Sequence, residues 1–317
     1  MKTALLLIVL CCVACATGGQ PTQQQTTVTT STTVPSITTA TTAPVVESTT
    51  TSVPSVVDRI VLDRTEAATT ARMQADVAYL NDIGPREAGT DAEAETARWL
   101  TDSLRARGLA VTVEAVPLPN GRESTNVIAR IGRGPRAVVV GAHMDTIRDS
   151  PGIDDNGSGV VILRELARRL SETPPDVTVT LVFFGAEEVL EGYPRDAHHH
   201  GSRQMALRLA SEGALPDAMI SVDMVGVGDR LLSVTYRETD PTAADALADI
   251  AADLDIDVTR QSRGDISDHE GFARQGVPAV MLWRPDNPAY HSPEDDEVRS
   301  DALLEILAIV EGYLATQ

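Results

Sequence analysis

Residues 177–188 of the chain read VTVTLVFFGAEE. The first eight form a long run of β-branched and aromatic residues, which is typical of a strand buried on both faces of a sheet. The run stops at Gly185, and two adjacent acidic residues, Glu187 and Glu188, follow at once. We therefore predict a central strand that delivers two carboxylates to one edge of a sheet.

Two further apolar runs end in the same way, since 137–140 leads into Gly141-Ala142-His143 and 218–222 leads into Asp223. Periodicity and turn residues predict the remaining elements. These are strands over 111–116, 126–131 and 279–283, and helices over 66–80, 90–107, 157–170, 241–254 and 301–313. The alternation predicts a single α/β domain with a central, mostly parallel mixed β-sheet and helices on both faces. Ligands of such sheets gather outside the carboxyl ends of the strands, where these polar turns lie.

The amino-acid composition excludes several classes of function. The 317 residues carry a formal net charge of −20, which disfavours nucleic acid as a partner because phosphates are repelled. Lys2 is the only lysine, which excludes Schiff-base and P-loop chemistry. The three cysteines, Cys11, Cys12 and Cys15, all precede the globular part. A metal ion there must be held by His, Asp and Glu.

The N-terminus predicts export from the cytoplasm. We interpret residues 1–17 as a signal peptide, because a basic start precedes an apolar run too short to span a bilayer. Small residues before Cys15 resemble a bacterial lipoprotein signal, in which a lipid on Cys15 would be the only membrane contact. A plain secretory signal is the alternative. Residues 18–57 are rich in Thr, Ser and Pro and predict a disordered linker, followed by the globular domain over 58–317.

Five segments supply nitrogen and oxygen ligands in the right number for a metal site. Two zinc ions about 3.5–4 Å apart need a bridging carboxylate, and one His with one carboxylate for each ion completes a set of five ligands. A sixth carboxylate is then needed as a base. The segments are His143-Met144-Asp145, Asp154-Asp155-Asn156-Gly157-Ser158-Gly159, Glu187-Glu188, Asp223 and Tyr290-His291.

The wording of these segments resembles the co-catalytic zinc aminopeptidases, metallopeptidase family twenty-eight. The resemblance begins near Ile83-Gly84-Pro85-Arg86 and runs to the C-terminus. It rests on Gly141-Ala-His-Met-Asp, Asp155-Asn-Gly-Ser-Gly, Gly185-Ala-Glu-Glu and Asp223-Met-Val-Gly. It implies a phosphorylase/hydrolase-like fold, two Zn²⁺ ions, and peptide substrates with a free N-terminus.

The resemblance also implies a ligand set. His143 and Asp223 would bind one zinc ion, Glu188 and His291 would bind the other, and Asp155 would bridge the two.

It implies roles for four further residues. Glu187 would act as general base and then general acid, and Tyr290 would polarise the scissile carbonyl. Asp145 would orient His143 through its second ring nitrogen, and Asp295 would do the same for His291. The peptide bond after Asp155 would be strained.

Two histidine clusters are expected to stand outside the metal set. Relative to the family pattern, residues 189–200 are an insertion that contains His198-His199-His200, and we interpret it as a solvated loop that tunes substrate access. Asp268-His269-Glu270 is expected to line the pocket or to be structural.

Two alternative interpretations remain. One is a glutaminyl-cyclase-like enzyme with one zinc ion, or another amidohydrolase, and the other is a non-catalytic metal-binding surface lipoprotein. The complete set of five ligands speaks against the cyclase, and the retained ligands and base speak against the non-catalytic protein. Zinc carboxypeptidases and deacylases are disfavoured, because too few residues separate Asp223 from His291 to include their lid domain. The sequence indicates neither the preferred side chain of the substrate nor the oligomeric state.

Overall fold

The structure is a computed structural model that describes residues 67–190, 192–194 and 197–317. Its strands are β1 (Ala110–Pro117), β2 (Glu123–Ile131), β3 (Ala137–His143), β4 (Thr178–Phe184), β5 (Ala218–Val222), β6 (Leu231–Tyr236), β7 (Val258–Arg263) and β8 (Ala279–Trp283). Its helices are α1 (Ala67–Ile83), α2 (Asp91–Arg105), α3 (Ser158–Glu172), α4 (His200–Glu212), α5 (Thr242–Asp253), α6 (His269–Ala273) and α7 (Ser300–Ala315). The predicted signal peptide and linker, and the predicted start of the domain, lie outside the described residues.

The eight strands form one mixed sheet in the order β1-β2-β4-β3-β5-β8-β6-β7. The four central strands, β4, β3, β5 and β8, are mutually parallel. β1, β2 and β6 join through antiparallel pairings, and β7 adds to β6 in parallel. The predicted class, a mostly parallel mixed sheet, is confirmed.

Helices cover both faces of the sheet because the central strands are apolar on both sides. Val138 and Val140 belong to a large core that includes residues of α1, α2, α3, α5 and α7. Val139, between them, belongs to a second core with residues of α4 and α6. Successive side chains of a strand point to opposite faces, so β3 is buried from both directions, as a continuous apolar run predicts.

The region between β5 and β8 contains more structure than the sequence pattern predicts. It holds the predicted helix, α5, and also β6, β7 and the short helix α6. β7 is an edge strand with mostly exposed side chains, so it lacks the apolar alternation that identifies a strand. Helix α4 was likewise not predicted, and it begins at His200, the last residue of the insertion interpreted as a loop.

Helix α2 begins where its capping residue predicts. Thr90 Oγ1 accepts a hydrogen bond from Glu93 N, as expected of an N-cap. The helix ends at Arg105, two residues before the predicted end, and Gly108 beyond it has a left-handed φ of 76°. Among the described helices, none combines the length and the apolar character needed to cross a bilayer.

Candidate metal centre

The carboxyl ends of three adjacent parallel strands meet at one edge of the sheet. β3 ends at His143, β4 is followed by Glu187 and Glu188, and β5 is followed by Asp223. Because these strands run in the same direction, their last residues lie side by side.

Asp155 lies between two histidines at the centre of this cluster. Its Oδ1 is 3.3 Å from His143 Nε2, and its Oδ2 is 3.2 Å from His291 Nε2. The same ring nitrogen of each histidine also contacts a second carboxylate. Asp223 Oδ1 is 3.4 Å from His143 Nε2, and Glu188 Oε1 is 3.1 Å from His291 Nε2. Asp155 therefore joins the group around His143 to the group around His291, with a different carboxylate oxygen facing each histidine.

A backbone turn between β3 and α3 holds Asp155 in place. The turn over Ile153–Gly157 departs from helical geometry at Asp155 and Asn156, and the peptide bond between these two residues is cis. Asn156 Nδ2 donates to Val222 O over 2.8 Å, and its Oδ1 accepts from Gly159 N over 2.9 Å. The amide side chain thus ties this turn to the end of β5.

Asp145 connects the first histidine to the paired glutamates. Its Oδ1 and Oδ2 accept hydrogen bonds from the backbone N–H groups of Glu187 and Glu188, over 3.0 and 3.1 Å. His143 Nδ1 is 3.1 Å from the carbonyl oxygen of Asp145 and 3.7 Å from its Oδ1. A carbonyl oxygen only accepts, so Nδ1 carries a proton, and Nε2 is the ring nitrogen that faces the carboxylates of the cluster. The residue that was expected to orient His143 also fixes the glutamate turn.

Asp295 does not have the predicted relation to His291. Its two oxygens accept from the backbone N–H groups of Asp154 and Asp155, each over 3.1 Å, and from the side-chain amide of Asn287. The prediction that Asp295 orients His291 is therefore wrong. The carboxylate instead holds the turn that carries Asp155, because the chain after His291 folds back over that turn.

Burial and nearby charges shift the pKa values of the carboxylates in the cluster. Burial, with repulsion from Asp155, raises the pKa of Glu188 to about 8. Burial also raises the pKa of Asp223. Asp155 is different, because its contacts with His143 and His291 outweigh burial and lower its pKa to about 2. Three carboxylates crowded in this way favour positive charge at their centre.

The donor set fits zinc. One ligand atom from each of His143, Glu187 and Asp223 lies within 4.8 Å of the others, and the same holds for Asp155, Glu188 and His291. All are imidazole nitrogens or carboxylate oxygens, which zinc prefers where thiolates are lacking. Within the described chain, the buried Oδ1 of Asp223 has the 3.4 Å contact with His143 Nε2 but no well-aligned hydrogen bond, so this oxygen is suited to a cation.

Tyr290 stands at the open side of the cluster. Its ring stacks on that of His291, with centroids 3.8 Å apart, and the side chain is 51% exposed. Both residues line a cavity of about 820 Å³ whose walls include Met224, Met281 and Trp283. The cavity is large enough to admit the end of a peptide beside the cluster.

His199 has a position that the sequence analysis missed. The triplet was interpreted as a solvated loop, but His198 and His199 are buried. His199 Nε2 is 2.9 Å from Glu187 Oε1, and Nδ1 is 3.3 Å from Glu270 Oε2. Although burial alone lowers the pKa of His199, the two carboxylates raise it to about 9. Nothing in three consecutive histidines indicates which one turns inward.

The 268–270 segment is buried beside this histidine. Asp268, His269 and Glu270 are each fully buried, and Asp268 carries a pKa raised to about 7 by burial and by repulsion from Glu187. None of the three belongs to either group of potential metal ligands found among the described residues. Through Glu270, the segment contacts the ring nitrogen of His199 that does not contact Glu187.

A mixed α/β sheet with histidines and carboxylates at the carboxyl ends of its parallel strands defines a metallohydrolase type of protein. Comparison with protein families agrees, since the model of peptidase family M28 matches residues 126–310, more than half of the chain. The chain belongs to peptidase family M28.

Curated relatives and solved structures agree with this membership. The chain is 30% identical over 172 residues to Aminopeptidase YwaD of Bacillus subtilis (strain 168), which covers 51% of the chain but only 36% of that relative. The chain therefore spans about a third of that relative's length.

Two solved structures share the fold. BSAP, a zinc aminopeptidase from Bacillus subtilis, matches 78% of the chain and 94% of its own, with 19% identity and a TM-score of 0.68. Tannerella forsythia glutaminyl cyclase matches 78% and 98%, with 21% identity and a TM-score of 0.68. The same fold thus occurs in a zinc aminopeptidase and in a glutaminyl cyclase. The function of this chain must therefore be argued from the residues of its site.

Proposed function

We propose that this chain is a zinc aminopeptidase that uses two zinc ions to hydrolyse the N-terminal peptide bond of peptides. The observation that carries the proposal is the placement of Asp155, whose Oδ1 faces His143 and whose Oδ2 faces His291. A carboxylate with one oxygen directed to each half of a ligand set suits a bridge between two metal ions. A site for one ion would not need this arrangement.

The ligand set follows from this bridge. His143 and Asp223 would hold one zinc ion, and Glu188 and His291 would hold the other. Glu187 belongs by distance to the first group, but one of its oxygens already contacts His199. We therefore assign Glu187 to proton transfer and leave five residues as ligands.

When bound, zinc ions act as Lewis acids and lower the pKa of water from 15.7 toward about 7. Glu187 would accept the proton of the attacking water and later deliver it to the leaving amine. Asp145 supports this role because it holds the backbone N–H groups of both glutamates. The carboxylate of Glu187 is thereby kept at a fixed place relative to His143.

Tyr290 would donate a hydrogen bond to the carbonyl oxygen as negative charge develops on it. The free amino group of the substrate would lie among the carboxylates of the cluster, which restricts cleavage to the first residue. The apolar wall formed by Met281 and Trp283 is suited to the side chain of that residue.

The experiment compares the wild type with Glu187→Gln, and uses Glu123→Gln at an exposed position as the matched control. We expect two zinc ions per chain in all three proteins. Glu187→Gln should lose about 10²–10⁴-fold in kcat, the usual contribution of general acid–base catalysis. Substrates should be aminoacyl-nitroanilides, with and without an N-terminal acetyl group.

Each part of the proposal has an outcome that contradicts it. Full activity of Glu187→Gln would remove the base assignment, and equal hydrolysis of acetylated substrates would exclude an aminopeptidase. A single zinc ion together with cyclisation of N-terminal glutamine would favour glutaminyl cyclase activity. Two zinc ions without hydrolysis of any free-amine substrate would favour a metal-binding protein.

The proposed enzyme acts outside the cytoplasm, held to the membrane by a lipid on Cys15. The support is the sequence before that cysteine, which lies outside the described residues. In a bacterial host, Cys15→Ser should move the protein from the membrane fraction to the soluble fraction. An unchanged distribution would contradict lipid attachment.

A further inference from the structure

The histidine insertion is joined to the glutamate loop by its backbone. His199 N donates to Glu187 O and His200 N donates to Ala186 O, each over 2.8 Å, and Gly201 N donates to Gly185 O over 3.1 Å. These bonds do not involve side chains. The main chain alone therefore places His199 beside Glu187, and a substitution of its side chain leaves this pairing intact.

The side chain of His199 then fills the space between two carboxylates. Nε2 lies 2.9 Å from Glu187 Oε1, and Nδ1 lies 3.3 Å from Glu270 Oε2. Ionised carboxylates only accept hydrogen bonds, so both ring nitrogens act as donors. The imidazole is held at both ends and cannot turn away from Glu187.

Glu270 is itself fixed by two arginines. Arg203 Nε donates to its Oε2 over 2.8 Å, and Arg274 pairs with its Oε1. Glu270 is fully buried, so this ion pairing is shielded from solvent on the glutamate side. A continuous chain of contacts thus runs from the protein surface at Arg274 to Glu187.

We propose that His199 is a positioning residue that fixes the carboxylate of Glu187 for proton transfer, with Glu270 as its anchor. This inference rests on the proposed function, which assigns Glu187 as the base. One hydrogen bond to Oε1 restricts rotation of the carboxylate, so that the same oxygen faces the reacting water in every turnover. A displacement of about 1 Å in such a group lowers the rate about 100-fold.

The two neighbouring histidines do not share this role. His198 contacts the ring of His199 edge-on, with centroids 3.7 Å apart, and forms part of the cavity wall. His200 Nε2 has no hydrogen-bond partner within the described part of the chain. His200 therefore offers a matched control one residue away.

The test uses three variants of the full chain. His199→Asn keeps a donor near the position of Nδ1 but removes the donor to Glu187, and His199→Gln keeps a donor near the position of Nε2. Asn also tolerates the left-handed backbone of this residue, whose φ is 56°. His200→Asn makes the same substitution where no contact with Glu187 exists.

We expect His199→Asn to lower kcat about 10–100-fold, as the loss of an orienting partner does, with KM changed by less than about threefold. His199→Gln should recover at least about tenfold of this loss, and His200→Asn should stay within about threefold of the wild type. All three should bind as much zinc as the wild type, because the two carboxylates that His199 contacts, Glu187 and Glu270, are not among the proposed ligands. Equal losses in His199→Asn and His200→Asn, or loss of zinc, would assign a merely structural role and overturn the proposal.

A second measurement does not depend on turnover. In proton NMR spectra of the zinc-free protein, the N–H between His199 and Glu187 should give an exchange-protected resonance far downfield. It should vanish in His199→Asn and shift in Glu187→Gln, and no such resonance in the wild type would overturn the proposal.

Double substitution separates the two proposals. In the Glu187→Gln background, His199→Asn should change kcat by less than about threefold, because the group it positions is gone. If Glu187→Gln alone keeps full activity, the proposed function fails. If Glu187→Gln is inactive but His199→Asn keeps full kcat, only the positioning role fails.

Discussion

Glu93 is a buried carboxyl group beneath the loop that carries the two site glutamates. It is 2% exposed, its Oε2 accepts from Gly89 N over 2.5 Å, and its Oε1 is hydrogen-bonded with Ser124 Oγ. A Cβ atom on Gly185 would lie 2.9 Å from Oε1, so the loop packs directly on this group. Burial, with repulsion from Asp145, raises the pKa of Glu93 to about 8.

The raised pKa makes the stability of the protein depend on pH in a defined direction. The unfolded chain loses this proton near pH 4.5 and the folded chain near pH 8. Between these values the folded state binds one proton more, so the free energy of unfolding falls as pH rises. The slope for one proton is about 1.4 kcal/mol per pH unit, or about 3 kcal/mol between pH 5 and pH 7.

Glu93→Gln tests this value because glutamine mimics the protonated acid. Its amide nitrogen would donate to Ser124 Oγ, and its oxygen would accept from Gly89 N. The variant should therefore lack this part of the pH dependence. Its unfolding free energy, relative to the wild type, should rise by about 3 kcal/mol from pH 5 to pH 7.

Urea unfolding followed by circular dichroism, with a chelator present to exclude metal binding, measures this difference at both pH values. Glu95→Gln on the exposed side of the same helix is the control, and its difference from the wild type should not change with pH. If Glu93→Gln also parallels the wild type, Glu93 is ionised in the folded protein and the reasoning is refuted.

Three further predictions concern the site. Tyr290→Phe should lower kcat about 100-fold with KM within about threefold in steady-state assays, since an oxyanion donor is lost; an unchanged kcat would exclude this role. Gly159→Ala should lower the free energy of unfolding in urea by about 1–3 kcal/mol, because a Cβ atom would overlap the Val222 carbonyl oxygen. Gly264→Ala, where the same atom meets open space, should change it by less than about 0.5 kcal/mol, and equal effects would contradict the packing argument. Because the pKa of Glu188 is raised to about 8 and that of His291 to about 10, zinc must displace a proton from each, and its affinity in calorimetric titrations should fall by at least about tenfold for each pH unit below 8. An affinity independent of pH would show that no proton is displaced.

The central part of the fold is predictable from the sequence because its strands are buried on both faces. The run at 137–140 has no polar residue, and the run at 177–184 is entirely apolar from residue 181 onward, so each identifies a central parallel strand without knowledge of its neighbours. β7 is the opposite case, since its side chains are mostly exposed. It is a strand because β6 pairs with it, and a tertiary contact of this kind leaves no periodic signal in the sequence.

The convergence of the site residues is predictable for a related reason. Once the strands are parallel and adjacent, the residues that follow them must share one edge of the sheet. His143 and Asp223 are close because β3 and β5 are neighbours. The finer contacts depend on how loops fold back, which explains why Asp295 was assigned to the wrong partner and why the burial of His199 was missed.

Glu187 and Glu188 show how adjacent carboxylates of the same type acquire different surroundings. Asp145 binds both of their backbone N–H groups, so neither residue can shift along the chain relative to His143. With the backbone fixed, the side chains diverge, and Glu188 reaches His291 while Glu187 reaches His199. The first partner belongs to the cluster that Asp155 joins, and the second is tied to Glu270. The division of the pair into a ligand and a proton carrier therefore depends on two histidines, which lie 103 residues after Glu188 and 12 residues after Glu187. Replacing Glu188 with glutamine should weaken zinc binding, whereas replacing Glu187 with glutamine should lower turnover.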